Sequence, residues 1–279
     1  MWSMLKQIYR KINLLNLDVV LGSMLVSLTF WKLPAGDGEI NIASVLILGV
    51  ATWLIYILDR FFDIQVNPQL TTERHLFHHQ YFFNLSVLSV VLGLIAITLC
   101  FIIPRPIFYF GLYLAGVLLI YFLFLIRFLK DKKAQWIKEP MTAVGYSIGV
   151  VGPAFVMHPS INLSSWILAL MLFLVASQNL LLFSYFEMLT NERKENSAKL
   201  FGQKWSIKII RLISGLMIGV FILLFTTNYS FESLVALTLL IMSLLLSFMT
   251  ARPTYFLHHH KYRWIGDGVF LLLFWVLFY

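Results

Sequence analysis

Long apolar runs alternate with short polar connectors along the whole chain. A helix needs about 20 mostly apolar residues to cross a hydrocarbon core. Nine windows of the 279-residue chain meet or approach that length: 15–33, 40–58, 82–103, 106–126, 138–157, 163–186, 206–226, 231–250 and 263–279. The pattern predicts an all-α integral membrane protein with about nine transmembrane helices, bundled around a central cavity open to the cytoplasmic side. Two windows are weaker. The first begins near Asp18, and 138–157 contains Gly145, Gly149, Gly152 and Pro153, which membrane helices tolerate and which let neighbours approach closely. No Gly/Ser-rich or low-complexity tract divides the chain, so 1–279 reads as a single membrane domain with 1–14 as an interfacial N-terminal segment. In that segment Trp2, Leu5, Ile8, Tyr9 and Ile12 recur at helical spacing beside Lys6, Arg10 and Lys11, as in an amphipathic surface helix. A signal peptide ending near Pro34–Ala35–Gly36 is the alternative.

Composition supports the membrane reading. Only 12% of residues are charged and 60% are hydrophobic, against about 25% charged in a soluble domain, so the chain cannot cover itself with polar surface. The net charge of +8 reads as topology, with no nucleic-acid partner expected. If the side holding the N-terminus is called inside, every one of the 21 lysines and arginines except Lys32 and Arg105 falls in an inside segment. The positive-inside rule then puts the N-terminus in the cytoplasm and Tyr279 across the membrane; a bacterial inner membrane is the expected location. The single cysteine, Cys100, lies in an apolar run and has no intrachain disulfide partner.

Chemistry is expected where acids meet the inside helix ends. Span two runs into Asp59–Arg60–Phe61–Phe62–Asp63, with the two aspartates four apart on one helical face. A carboxylate at the membrane boundary is costly unless paired, hydrated or bound to a cation, and such a pair can hold Mg²⁺ through one or two oxygens while phosphate and water complete its shell. Neutralisation of the pair by Arg60 or a neighbouring lysine is the plainer alternative. Span six ends in Glu187, Asn191 and Glu195, at i, i+4 and i+8, one stripe of oxygen-bearing side chains if the helix continues. Facing each other across a cavity, the two stripes would make metal sites around a diphosphate. Arg74, Lys130, Lys133, Arg193, Lys194 and Lys199 are the candidate diphosphate-binding cations.

These motifs resemble those of the UbiA-type intramembrane prenyltransferases, a family of nine-helix proteins with acidic motifs after helices two and six. Asp59 and Asp63 match the last two acidic positions of the first motif, and Thr72–Glu73–Arg74 stands where an Arg-containing loop follows. Glu187, Asn191 and Glu195 occupy the positions of the second motif, with Lys199–Leu200–Phe201–Gly202 resembling its basic tail. The basic loop 127–138 leading into Gly145–Tyr146–Ser147–Ile148–Gly149 resembles the connection between helices four and five. The chain departs from the pattern at Ile55, where the family has Asn, and at the second motif, where Glu, Asn and Glu replace Asp.

The resemblance implies an Mg²⁺-dependent prenyltransferase of isoprenoid biosynthesis. Asp59, Asp63, Glu187, Asn191 and Glu195 would be its catalytic and metal-binding residues. Its partners would be a prenyl diphosphate, a lipophilic and quinone-precursor-like acceptor, and membrane lipid. A terpene cyclase of the same fold, or a non-catalytic or transport relative, is the alternative. His75, His78 and His79 are a candidate transition-metal cluster, His258–His260 read as an interfacial group, and Asp267 reads as a buried acid inside span nine.

Overall fold

The computed structural model describes residues 9–66, 73–128, 137–158, 161–190, 196–225 and 230–279. Its regular elements there are all helical. The first is α1 (Leu17–Trp31), preceded by helical backbone over residues 9–14, and α2 (Ile42–Val66) follows. Next come α3 (Glu73–Gln80), α4 (Phe82–Cys100), α5 (Arg105–Phe128), α6 (Lys138–Met157) and α7 (Leu163–Leu189). The C-terminal part contains α8 (Ser197–Phe201), α9 (Gln203–Phe225), α10 (Ser230–Met249), α11 (Pro253–Leu257) and α12 (Lys261–Gly268), and ends in a tighter 3-10 run, Val269–Phe278.

Six of these helices are long and apolar enough to cross a membrane: α2, α4, α6, α7, α9 and α10. In lipid the backbone polar groups must be satisfied within the segment, which long helices do. By helix length and composition the chain is therefore a multi-pass membrane protein, all-helical among the described residues. The other three apolar windows are also helical. α1 has 15 residues, α5 has 24, and the last window divides into α12 and the 3-10 run.

α7 is the central post. It packs on α6, α9 and α10, and its lower end meets α8 and α12. The 3-10 run lies between α1 and α10, and α1 also touches α2 and α6. The main core is aliphatic and aromatic: Val26 and Phe30 of α1, Val150 and Ala154 of α6, Leu168, Met171 and Val175 of α7, and Leu239 and Leu246 of α10 are all buried. α4 packs along α2, and α5 packs along α6. Their outer faces are apolar and exposed, with Val90, Leu94 and Ile97 on α4 and Leu112, Tyr113 and Ile120 on α5, which suits contact with lipid.

A polar knot crosses the middle of the apolar bundle. The Gln178 side-chain amide of α7 donates toward the Ile210 carbonyl and Ser214 Oγ of α9 and the Ser243 carbonyl of α10, each at 3.0 Å. Ser214 Oγ and Ser243 Oγ lie 2.9 Å apart. At the end opposite the acids, Asn162 caps α7 by accepting from the Ser165 N–H at 2.8 Å. Ser165 Oγ donates to the buried Glu232 of α10 at 3.0 Å.

Candidate functional site

One end of the bundle gathers the charges. It carries the C-terminal turns of α2 and α7, the N-terminal turn of α6, and α8 and α12. Asp59 of α2 accepts from Lys138 Nζ of α6 at 2.9 Å. Glu187, near the end of α7, accepts from Arg263 Nη2 of α12 at 2.5 Å. Glu139 of α6, next in sequence to Lys138, binds two ways. Its Oε1 accepts from Ser184 Oγ of α7, and its Oε2 accepts from the Ser197 N–H of α8 at 3.1 Å. Glu139 and Glu187 are close enough for their charges to repel.

The two ion pairs differ in solvation. Asp59 and Lys138 have side chains 33% and 49% exposed, whereas Glu187 and Arg263 are 20% and 22% exposed. Water screens the first pair strongly and the second much less. Tyr262 lends Arg263 further order: its hydroxyl accepts from Arg263 Nε at 3.1 Å, while its buried ring stacks on Phe186 at 4.7 Å between centroids.

α7 ends at Leu189, with Thr190 as its C-cap, and α8 starts afresh after Asn196, so of the expected stripe only Glu187 lies among the described residues. The Asn196 side chain accepts from the Lys199 N–H at 2.9 Å, the arrangement of an N-cap. Its Nδ2 donates to the Ser184 carbonyl at 3.1 Å, tying the new helix to the old one. Gly202 closes α8 at φ 79°, a left-handed backbone that glycine adopts without a Cβ penalty.

Of the sequence-derived candidates, Asp59, Glu187 and Lys199 are described in full. Lys199 is half-buried on α8. Asp63 lies on α2 and Arg74 on α3, but their side chains are outside the described residues, as are Asn191, Glu195, Lys130, Lys133, Arg193 and Lys194 altogether. Among the described residues no group of three or more His, Cys, Asp or Glu side chains converges as a metal site. Of the histidine cluster, His78 is fully buried on α3, its ring 5.5 Å from that of Phe77, and the His75 side chain lies outside the described residues. Asp267 is buried on α12.

Sequence reasoning missed Glu139 and the partner roles of Lys138 and Arg263. Both basic residues counted only toward topology. Glu139 sits between a basic residue and Pro140 at the start of a span, where an acid reads as a favourable first-turn charge. Tyr9 gives the N-terminal segment an anchor at this end, its hydroxyl donating to the Trp264 carbonyl at 2.9 Å. Compared with protein-family models, curated proteins and solved structures, the chain gives no match.

Proposed function

We propose that the chain is a UbiA-type prenyltransferase with nine spans and a cytoplasmic N-terminus, moving a prenyl group from a prenyl diphosphate to a lipophilic acceptor at its charged end. The observation that carries this reading is the meeting of Asp59, Glu139 and Glu187, from three helices, with Lys138 and Arg263 at one end of an otherwise apolar bundle. Acids and bases gathered at a lipid boundary suit a substrate with a polyanionic head and an apolar tail. The division of Lys and Arg between the two sides supports the orientation. The helicity of all nine apolar windows supports the span count.

The donor chemistry fits Mg²⁺. The ion takes hard oxygen ligands, commonly one or two carboxylates completed by phosphate and water, and Asp59 and Glu187 offer one each. Asp63, Asn191 and Glu195 are the further ligands that the resemblance implies. When bound, the ion supplies positive charge against a departing diphosphate.

The chain's own residues do the rest. Lys138 and Arg263 hold the Asp59 and Glu187 carboxylates and must release them for an ion to enter. Once released, each would be a cation available to a phosphate, Arg263 as a fork and Lys138 as a point charge. Around the Glu187–Arg263 pair, whose side chains are about four-fifths buried, reduced access of water strengthens the charge interaction, whereas Asp59 and Lys138 stay partly solvated.

A catalytically silent relative is the second reading. It is favoured by those same ion pairs, which already neutralise both acids.

The test is diphosphate release by the purified protein in nanodiscs, with Mg²⁺ and a series of prenyl diphosphates, with and without a phenolic acceptor. Acceptor-dependent release that disappears in Asp59→Ala and Glu187→Ala supports the transferase. Release without acceptor points to a cyclase, and no release with any chain length rejects both enzymes.

A further inference from the structure

We infer that Glu139 is a positioning residue that holds Glu187 and Lys199 in one frame by pinning α6, α7 and α8 together; the inference rests on the prenyl-diphosphate reading for its functional consequence.

The geometry is specific. Ser184 lies three residues before Glu187, on the same face of α7, and its hydroxyl donates to Glu139 Oε1. The other oxygen takes the Ser197 N–H, one of the donors at the start of α8 that no helical carbonyl can satisfy. Asn196 takes a second of these, the Lys199 N–H, and ties itself back to the Ser184 carbonyl. The last turn of α7 and the first turn of α8 are thus locked at one point, and Glu139 is the only one of these groups that comes from a third helix.

α8 is five residues long. A helix this short is not stable by itself, so its direction is imposed by what holds its ends. Glu139 and Asn196 hold the N-terminal end, and Lys199 stands in the turn between them and Gly202. Glu139 therefore sets where the Lys199 side chain starts, and through Ser184 it steadies the turn that carries Glu187 to Arg263.

A partly buried carboxylate costs free energy that its two donors offset. It also repels Glu187. A residue that served only to fill space would avoid both costs with an apolar side chain.

The experiment uses the full chain in nanodiscs, with Cys100→Ser and spin labels introduced at Leu170→Cys on α7 and Leu200→Cys on α8, both exposed positions. It compares wild-type Glu139 with Glu139→Ala and Glu139→Gln. Two quantities are read: the width of the inter-label distance distribution, and the affinity for inorganic diphosphate with Mg²⁺ by calorimetry. A Gln amide accepts from the Ser197 N–H and donates to Ser184 Oγ, so it keeps the pin without the charge.

The expected result is a broadened distance and at least tenfold weaker diphosphate binding in Glu139→Ala. Glu139→Gln should restore a narrow distance and bind within threefold of wild type. An unchanged distance in Glu139→Ala overturns the inference. So does Glu139→Gln that restores the distance but binds as weakly as the alanine variant, because the charge and not the position would then matter. If wild-type protein binds no diphosphate while Glu139→Ala still broadens the distance, the proposed function fails and the positioning role stands.

Discussion

Removing Arg263 should destabilise the protein and at the same time strengthen its hold on Mg²⁺. The pair it forms with Glu187 has its closest atoms 2.5 Å apart and both side chains about four-fifths buried. With charge centres about 4 Å apart and an effective dielectric near 20, the gross attraction is about 4 kcal/mol. Desolvation of both ions cancels a large part. Exposed pairs net about 0.2–1 kcal/mol, and breaking a fully buried one costs about 3–5. A pair of intermediate burial should therefore show a coupling of about 1–2 kcal/mol.

The assay is a double-mutant cycle with Glu187→Gln and Arg263→Gln, using reversible unfolding in bicelles. The Asp59–Lys138 pair is the internal control. It is a third to a half exposed, so its coupling should stay below about 1 kcal/mol. In the same Arg263→Gln protein, Glu187 has lost its competing cation, and Mg²⁺ should bind about three- to tenfold tighter, equivalent to about 0.7–1.4 kcal/mol. A Glu187–Arg263 coupling no larger than that of the control pair would refute the burial argument. Weaker Mg²⁺ binding in Arg263→Gln would refute the exchange of partners.

Other parts of the bundle give simpler outcomes. Gln178→Leu conserves volume but removes the polar link between α7, α9 and α10; the amide nitrogen has two hydrogens to share among its acceptors, and interhelical hydrogen bonds in membranes average about 0.6 kcal/mol each, so about 1 kcal/mol should be lost in the same unfolding assay. Gly266→Ala would put a Cβ inside contact distance of the Phe183 ring and 2.7 Å from Asn179 Oδ1, an overpacking expected to cost about 1–3 kcal/mol. Gly93→Ala on α4 meets nothing within 4 Å and should change stability by less than about 0.5 kcal/mol. In whole cells of a Cys100→Ser background, a cysteine at Leu200 should resist a membrane-impermeant thiol reagent until the membrane is opened, whereas one at Asp37 should react from outside; the reverse pattern would invert the assigned orientation.

The apolar windows were legible because hydropathy is a local property: 138–157 coincides with α6, and Glu187 stood out as an acid at the end of a 27-residue apolar helix. The start of α8 had a signal of its own in the sequence. Asn196 followed by a short run ending at Gly202 is a cap–helix–glycine pattern, and it marks α8 as a new helix. The partners of the acids had no such signal. Lys138 lies 79 positions from Asp59, and Arg263 lies 76 from Glu187. Only tertiary packing brings them together, and counting them for topology hid their second role. Glu139 was masked by the helix-start context that makes a first-turn acid ordinary. Gln178 was readable as part of a polar Ser177–Gln178–Asn179 step inside an apolar span, yet its three acceptors lie on two other helices.

The most direct measurement is a structure of the protein in nanodiscs with Mg²⁺ and a prenyl thiolodiphosphate, which resists ionisation. The expected result is metal and diphosphate density between the Asp59 and Glu187 carboxylates, with the Lys138 and Arg263 side chains moved off the acids and onto phosphate oxygens. Intact Lys138–Asp59 and Arg263–Glu187 pairs with no diphosphate at that end would contradict it.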